Sequence, residues 1–408
     1  MRPAPHRHPR ALFALVAVMA CEALAYYAVR SQANFVLVDE LGLEASGWAF
    51  GVIFTLVGLI GALLAGPAVD LAGPRPMAIA GGAITAAGAL LLALTTSAPA
   101  LHAGLGLVVA GKTLAEIAVI VLVADLYEPG DGRRDAGFTL FAIGADLGGF
   151  LAPLSMGFIV MSAGRSAGFA AVGAIPILGI VLLARRLPAP VVPAPPTTSR
   201  SVGRAVAVLA VLVLVASVLE GAINAVSPAF HTPLRDLELL GLTIPLVAWF
   251  PAVMIAAMST MPLLAWIWLR MGERGPSSPA KLCIGAVLSA AGAVCLVALS
   301  RHEGLAGAVV PPLIAIVVGS FVRPIALSLL TRFAPHRLRG TAVGLWFCAP
   351  LLMGYPLGEA RIALAPASLG VLAAVLTGAA LAAGAVGYAL LVWLGAGKSA
   401  ARSATLSA

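Results

Sequence analysis

Seven ionisable side chains lie deep within long apolar stretches of this sequence, where a charge is costly. They are Glu22, Arg30, Lys112, Glu116, Asp146, Glu220 and Arg323. At the centre of a bilayer each would cost roughly 2.5 kcal/mol or more unless it is paired or hydrated. We therefore expect all seven to face the interior of a helical bundle, where they could bind a polar solute or carry protons.

Two groups of these residues are spaced by one helical turn. Glu22, Tyr26 and Arg30 follow one another at intervals of four, so they form one stripe of a helix, with Arg30 about 12 Å from Glu22 along the axis. This pattern predicts the lining of a polar cavity, although a purely structural ion pair would give the same spacing. Lys112 and Glu116 are also one turn apart, and they either neutralise each other or supply a base and an acid.

Asp146 and Glu220 have no basic neighbour in their own stretches. Each must find a basic partner on another helix or carry a proton, as a proton-coupling site requires. For Glu220 we favour coupling or solute contact, whereas for Asp146 the functional and structural interpretations are equally supported. Other polar or aromatic residues that could line the path, but that more often serve packing, are Asn224, Trp346 and Tyr355.

The composition predicts that lipid is the main solvent of this chain. Of 408 residues, 61% are hydrophobic and 10% are charged, which is more apolar surface than soluble domains can bury. The net charge of +8 is not gathered into a patch, so we expect no nucleic-acid partner. The four cysteines lie in apolar runs without zinc-site spacing, and no phosphate-binding loop or catalytic grouping occurs. We therefore expect no metal, no cofactor and no enzymatic activity.

Twelve apolar stretches are long enough to cross a bilayer as helices. They lie at about 11–38, 47–71, 75–96, 102–127, 136–162, 166–186, 204–229, 242–270, 280–300, 306–333, 340–362 and 367–395. A polar segment rich in Pro, Thr and Ser separates the two sets of six. The sequence therefore predicts an N-terminal six-helix bundle at 11–186, a cytoplasmic linker at 187–203 and a C-terminal six-helix bundle at 204–395.

The basic residues of the loops are distributed unevenly between the two sides. If residue 1 is cytoplasmic, the opposite side receives only Arg165, Arg235, Arg301 and Arg361. The positive-inside rule then predicts that both termini are cytoplasmic, in the inner membrane of a bacterium. A cleaved signal peptide is the competing interpretation of the N-terminus, and Glu22 within its apolar run argues against it.

The loop at 66–75 contains Gly66, Asp70 and Arg75, and it resembles the G-x-x-x-D-R-x-G-R-R loop of the major facilitator superfamily. In physical terms it is a tight glycine turn whose acid can cap a helix or meet a basic partner in one access state. The resemblance implies a gating role for these three residues.

Further segments resemble the proton-dependent oligopeptide transporter family within that superfamily. They are 26–30, 125–138 with its continuation at 148–154, 265–281 and 332–347. The second of these is the most specific match, and together they cover nearly the whole chain in order. The resemblance implies an all-α membrane protein with twelve transmembrane helices in two six-helix bundles, which transports by alternating access.

The chain departs from that family where the family holds its solute and its proton. In the span-one triad, Met19 and Ala23 replace an acid and an arginine, while Glu22 keeps the second acid. Glu116 stands at the lysine position of span four, and Lys112 lies one turn earlier. Further replacements of solute-contacting positions are Leu59, Asp146, Met254 and Gly319. We therefore expect a peptide-transporter-like protein that is not a standard carrier of di- and tripeptides.

These observations predict a proton-coupled secondary active transporter of a small organic solute, acting as a monomer in the lipid bilayer. The predicted substrate-binding residues are Tyr26, Tyr27, Arg30, Lys112, Glu116, Asp146 and Arg323. The predicted proton-coupling residues are Glu22 and Glu220. The alternative is a transporter-like membrane sensor or scaffold that has lost transport, suggested by the broken triad.

Overall fold

The computed structural model describes thirteen parts of the chain, and nearly all of their residues are helical. These parts are 8–41, 51–95, 97–128, 131–186, 199–226, 237–239, 242–244, 255, 258–272, 275–299, 317, 321–349 and 369–394. The elements of the first half are α1 (Arg10–Leu41), a π-helical turn (Ile53–Val57), α2 (Gly58–Ala72), α3 (Pro74–Leu94), α4 (Ala98–Asp125) and α5 (Arg134–Arg186).

The second half begins with a long helix, a short hairpin and two more helices. They are α6 (Ser199–Val226), β1 (Leu237–Leu239), β2 (Leu242–Ile244), α7 (Thr260–Met271) and α8 (Ser278–Leu299). The remaining elements are α9 (321–333), a 3-10 turn (His336–Leu338), α10 (339–349) and α11 (Leu369–Trp393). The helix α6 begins at Ser199, inside the segment that the sequence analysis assigned to the linker.

Five of the described helical segments are long and apolar enough to cross a membrane. They are Arg10–Ala33, Ile53–Ala72, Pro74–Leu94, Ala98–Asp125 and Arg134–Arg185. The last contains two of the predicted spans, 136–162 and 166–186. They are separated at Gly164, where φ is 84° and ψ is 168° and the helical geometry is interrupted. Only glycine adopts this conformation without strain, so the boundary predicted between 162 and 166 corresponds to a real break.

The prediction that a helical span begins at about 242 is wrong. Residues Leu242–Ile244 form β2, which pairs antiparallel with β1 so that Leu239 lies opposite Leu242. The β-branched Thr243 and Ile244 favour an extended backbone, and the next described regular helix, α7, begins only at Thr260. Hydropathy alone could not separate this short strand from the helix that follows.

Glycine and proline define the turn between α2 and α3. Gly73 has φ 91°, a conformation that favours glycine, and its N–H bonds the carbonyl of Val69 at 3.0 Å. Pro74 follows at the first helical position, where its missing N–H costs nothing. One apolar helix therefore ends and the next begins across a single residue, Gly73.

The described chain forms two compact units, each made of segments from distant parts of the sequence. One unit comprises Met1–Glu128, Leu140–Val202 and Ala334–Leu351, and the other comprises Pro129–Thr139, Gly203–Phe333 and Leu352–Ala408. The division into bundles at 11–186 and 204–395 stays a prediction.

The first unit packs its helices through glycines. An added methyl group on Gly81 of α3 would lie 2.5 Å from the backbone nitrogen of Ala115, and one on Gly88 would lie 2.8 Å from the carbonyl of Gly104. In the same way, a methyl group on Gly148 of α5 would lie 2.6 Å from the nitrogen of Leu24 on α1. Such close approach gives dispersion contacts between backbones, which drive helix association in lipid. It also fixes the helices that carry the buried charges.

The second unit contains the helices α6 to α9 and α11. The rings of Trp268 on α7 and Phe321 on α9 meet edge to face, with their centroids 5.7 Å apart. The helices α8 and α11 pack closely enough that a methyl group on Gly384 would clash with the side chain of Ala286. Aromatic and small side chains therefore both contribute to its packing.

Candidate functional site

The stripe predicted on α1 runs from a buried acid to an exposed base. Glu22 is 2% exposed and Tyr26 is 8% exposed, whereas Arg30 lies among the exposed residues. The gradient follows the spacing of four residues, which keeps all three side chains on one side of the helix. Of the three charged or polar groups on this stripe, Arg30 is therefore the most accessible to a solute.

Arg30 contacts two aromatic rings. Its Nη1 donates a hydrogen bond to the hydroxyl of Tyr26 at 3.1 Å, and its Cζ lies 5.1 Å from the centroid of the Phe54 ring. The Tyr26 and Phe54 rings are themselves in edge contact at 6.0 Å. The guanidinium is thus attracted by the face of one ring and the oxygen of another.

The helix α4 supplies the ion pair that its spacing allowed. Lys112 Nζ donates directly to Glu116 Oε2, and the two side chains are 15% and 5% exposed. Lys112 Nζ also lies 4.9 Å from the centroid of the Tyr26 ring. Tyr26 therefore touches both cations, Lys112 through its ring and Arg30 through its hydroxyl.

Glu22 packs against two glycines. A methyl group on Gly82 of α3 would lie 2.8 Å from Glu22 Oε1, and one on Gly179 of α5 would lie 3.9 Å from the same oxygen. Its Oε2 is buried and has no hydrogen-bond partner within the part of the chain that the structure describes. Burying a carboxyl with an unsatisfied oxygen costs least when the carboxyl is neutral.

The other predicted site residues are distributed over both units. Tyr27 is 38% exposed and meets the Tyr26 ring edge to face at 5.0 Å, so it lies beside the stripe of Glu22, Tyr26 and Arg30 on α1. Asp146 lies half-buried on α5 of the first unit, and Arg323 lies half-buried on α9 of the second. Trp346 is buried on α10.

Several predictions concern residues on which the structure gives no side-chain information. Glu220 and Asn224 lie on α6, but their side chains are outside the described part, so the coupling role of Glu220 stays a prediction. Met254, Gly319 and Tyr355 lie outside the described residues altogether. Among the residues that are described, no three His, Cys, Asp or Glu side chains converge as metal ligands.

Asp70 caps the start of α10. Its carboxylate accepts hydrogen bonds from the backbone nitrogens of Gly340 and Thr341 at 2.7 and 2.8 Å, and from the Thr341 hydroxyl at 2.6 Å. A negative charge at a helix N-terminus interacts favourably with the unpaired N–H groups there. The contact joins two segments of the first unit that are 270 residues apart in the sequence.

Gly66 and Arg75 occupy opposite ends of the same motif. A methyl group on Gly66 would lie 2.8 Å from the Gly340 carbonyl, so α2 and α10 approach each other only because this position is glycine. Arg75 Nη2 instead donates to the Ala184 carbonyl at 2.9 Å, near the end of α5. The three predicted gating residues therefore make different contacts.

A buried ionic cluster in the second unit was missed by the sequence analysis. Asp135 accepts hydrogen bonds from Lys281 Nζ at 2.6 Å, Ser278 Oγ at 2.8 Å and Ser328 Oγ at 2.7 Å. Both charged side chains are largely buried. The available signal was that Asp135 and Lys281 each stand in a segment that resembles the transporter family.

Comparison with known proteins agrees with this architecture. Residues 15–355 match the family model of the Major Facilitator Superfamily. The uncharacterized transporter YclF of Bacillus subtilis is 25% identical to this chain, over 83% of the chain and 85% of the relative. The peptide transporter YePEPT of Yersinia enterocolitica is 27% identical, over 61% of this chain and 65% of its own. The solved peptide transporter POT in complex with sulfate aligns with a TM-score of 0.63 and 22% identity, over 96% of this chain and 97% of its own.

The family model spans more than half of the chain, and the structural likeness independently supports the fold. The predicted family, the all-α major facilitator fold and the transport class are therefore confirmed, although the count of twelve spans extends beyond the described residues. Members of this family are membrane transporters and not enzymes. The chain is thus a multi-pass secondary transporter that belongs to the major facilitator superfamily.

Proposed function

We propose that the protein is a proton-coupled symporter of a small organic solute, similar to peptide transporters but not a standard carrier of di- and tripeptides. It acts as a monomer in the inner membrane of a bacterium, with both termini in the cytoplasm. The proposal draws on the relatives, one of which is named a peptide transporter. It also draws on the residues that differ from the peptide transporter family at the positions where that family binds its solute and its proton.

The observation that carries the proposal is the arrangement of charges around Tyr26. Lys112 touches the Tyr26 ring and is hydrogen-bonded to Glu116, while Glu22 is buried against Gly82 with one oxygen unpartnered in the described structure. A carboxyl that is neutral here can lose its proton when the site hydrates or when Lys112 turns towards it. Lys112 can then interact with the deprotonated Glu22 in one state of the carrier and with the solute in another.

Alternating access requires that contacts on one side of the carrier form and break. The cap that Asp70 makes on α10 is a suitable contact, because its three hydrogen bonds depend on the close approach of Gly66 and Gly340. We assign Gly66, Asp70 and Arg75 to this gating region, on the side predicted to be cytoplasmic.

The direct test of the function is a thermal-shift screen followed by flux measurements. A true ligand stabilises the folded carrier by mass action, so dipeptides, amino acids, nucleosides, organic acids and drugs are compared at two pH values. Solutes that stabilise the protein are then offered to proteoliposomes with and without an inward proton gradient. Binding without gradient-driven uptake would contradict symport and favour a sensor.

Dialanine is expected to be a poor substrate. The family positions that hold the peptide backbone and termini carry Leu59, Glu116, Asp146 and Gly319, so a zwitterionic dipeptide meets a different charge pattern. The measurement is saturable, gradient-driven uptake of labelled dialanine in proteoliposomes, with empty liposomes as the control. Robust uptake would show that the substitutions leave peptide recognition intact.

Arg30→Lys is expected to weaken solute binding substantially. The guanidinium uses its plane against Phe54 and one edge against Tyr26, and an ammonium group cannot satisfy both contacts in the same geometry. The check is the KM of uptake for whichever solute the screen identifies. The exposed Arg10→Lys is the matched control, and full activity of Arg30→Lys would show that no directional contact exists.

A further inference from the structure

Phe54 of the π-helical turn contacts α1 through Tyr26 and Arg30, and the proposed function assigns it no role beyond that contact. Its side chain is 7% exposed, its ring meets Tyr26 edge to face at 6.0 Å, and the Arg30 Cζ lies 5.1 Å from its centroid. The ring therefore packs against both Tyr26 and Arg30, and Arg30 is the more exposed of the two charged residues of the α1 stripe.

The π-helical geometry explains why Phe54 reaches this position. A π turn contains one more residue than an α turn, so it rotates the chain that precedes it by about 100° relative to the helix that follows. Ile53 and Phe54 are the buried residues of this turn, whereas Leu56 is 48% exposed. The extra residue thus sets which side chains of the turn are buried, and one of them, Phe54, contacts Tyr26 and Arg30 of α1.

We propose that Phe54 is a positioning residue, which holds the guanidinium of Arg30 in one plane so that it can receive an anionic group of the solute. The ring attracts the flat face of the cation, and the Tyr26 hydroxyl accepts from one of its edges at 3.1 Å. These two contacts act in different directions, so they restrict both the tilt and the rotation of the guanidinium.

Pre-orientation matters because a free arginine loses much rotamer freedom when it binds an anion. A guanidinium that is already held in its binding orientation loses less on association, so it binds its partner more tightly. Phe54 acts through Arg30 in this scheme and need not touch the solute. The inference rests on the proposed function only for the statement of what Arg30 binds.

The experiment measures the reactivity of Arg30 directly and needs no solute. Full-length protein in lipid nanodiscs is treated with phenylglyoxal, which modifies arginine, and the rates at Arg30 and Arg10 are read by mass spectrometry of the peptides. The exposed Arg10 is the reference within each molecule. The variants are Phe54→Leu, Phe54→Trp and, as the matched control on the same turn, Leu56→Ala.

In Phe54→Leu the ratio of the Arg30 rate to the Arg10 rate should rise about 2- to 30-fold, as expected for the loss of one cation–π contact. In Phe54→Trp and in Leu56→Ala the ratio should stay at the wild-type value. An unchanged ratio in Phe54→Leu overturns the proposal, and so does an equal rise in Phe54→Trp, which indicates a packing role only.

The same measurement separates the two proposals. A general loosening of the protein frees Arg30 more than Arg10, which is already exposed, so it would also raise the ratio in Leu56→Ala and Phe54→Trp; an unchanged ratio in these two variants excludes it. If the protein proves to transport nothing while the ratio behaves as expected, the positioning of Arg30 stands and the proposed function fails.

Discussion

Asp135→Ala is expected to destabilise the protein by about 3–5 kcal/mol, the typical cost of removing one partner from a buried ion pair. The carboxylate accepts three hydrogen bonds, from Lys281, Ser278 and Ser328. Its removal leaves the Lys281 ammonium buried without its counter-ion. The measurement is the thermal midpoint of the purified protein in detergent. Unfolding is monitored by intrinsic fluorescence or by size-exclusion chromatography of heated samples.

Asp131→Ala is the matched control for this substitution. Asp131 also pairs with an arginine, Arg133, at 2.7 Å, but the two side chains are 15% and 21% exposed. Asp131 Oδ1 also accepts a hydrogen bond from the Arg133 backbone N–H at 2.8 Å, so this variant should lose about 1–2 kcal/mol, clearly less than Asp135→Ala. Equal midpoints for Asp131→Ala and Asp135→Ala would contradict the importance of the buried cluster.

A second substitution distinguishes the loss of the ion pair from the loss of the serine hydrogen bonds. If the cost of Asp135→Ala comes from the stranded ammonium, adding Lys281→Met should recover part of the stability, because methionine fills similar volume without a charge. The Lys281 ammonium also lies 4.8 Å from the Trp268 ring centroid, so recovery is expected to be incomplete. No recovery would indicate that the serine hydrogen bonds dominate.

The boundaries of the helices were largely accessible from the sequence, because apolar length and glycine or proline at the ends decide them locally. The break at Gly164 and the start of α3 at Pro74 are examples. The π turn and the hairpin at 237–244 were not accessible. Both depend on where a few residues depart from a regular pattern, which average hydropathy over a span does not detect.

The candidate site was predictable only where its contacts are local. The spacing of Lys112 and Glu116 allowed their pair, and the structure shows it. The Asp135 cluster depends on Lys281, which is 146 residues away, and no period in the sequence encodes such a partner. The surroundings of Glu22 likewise depend on the absence of a side chain at Gly82.

Glu22→Gln is expected to abolish accumulation of solute driven by a proton gradient, while counterflow of the same solute survives. Glutamine has the size of the protonated acid and cannot release a proton, so the variant imitates one state of the carrier permanently. Exchange of solute across the membrane needs no net movement of protons. The two activities are measured in proteoliposomes with the solute that the thermal-shift screen identifies.

The surroundings of Glu22 make it the better of the two predicted coupling residues to test first. Glu22 is 2% exposed, its Oε1 packs against Gly82, and its Oε2 is unpartnered among the described residues. The matched control is Glu128→Gln, at an exposed glutamate, and Glu220→Gln is compared in the same assay. Intact accumulation in Glu22→Gln would remove this residue from the coupling mechanism and leave Glu220 as the candidate. Loss of both accumulation and counterflow, in a variant that melts like the wild type, would instead assign Glu22 to solute binding.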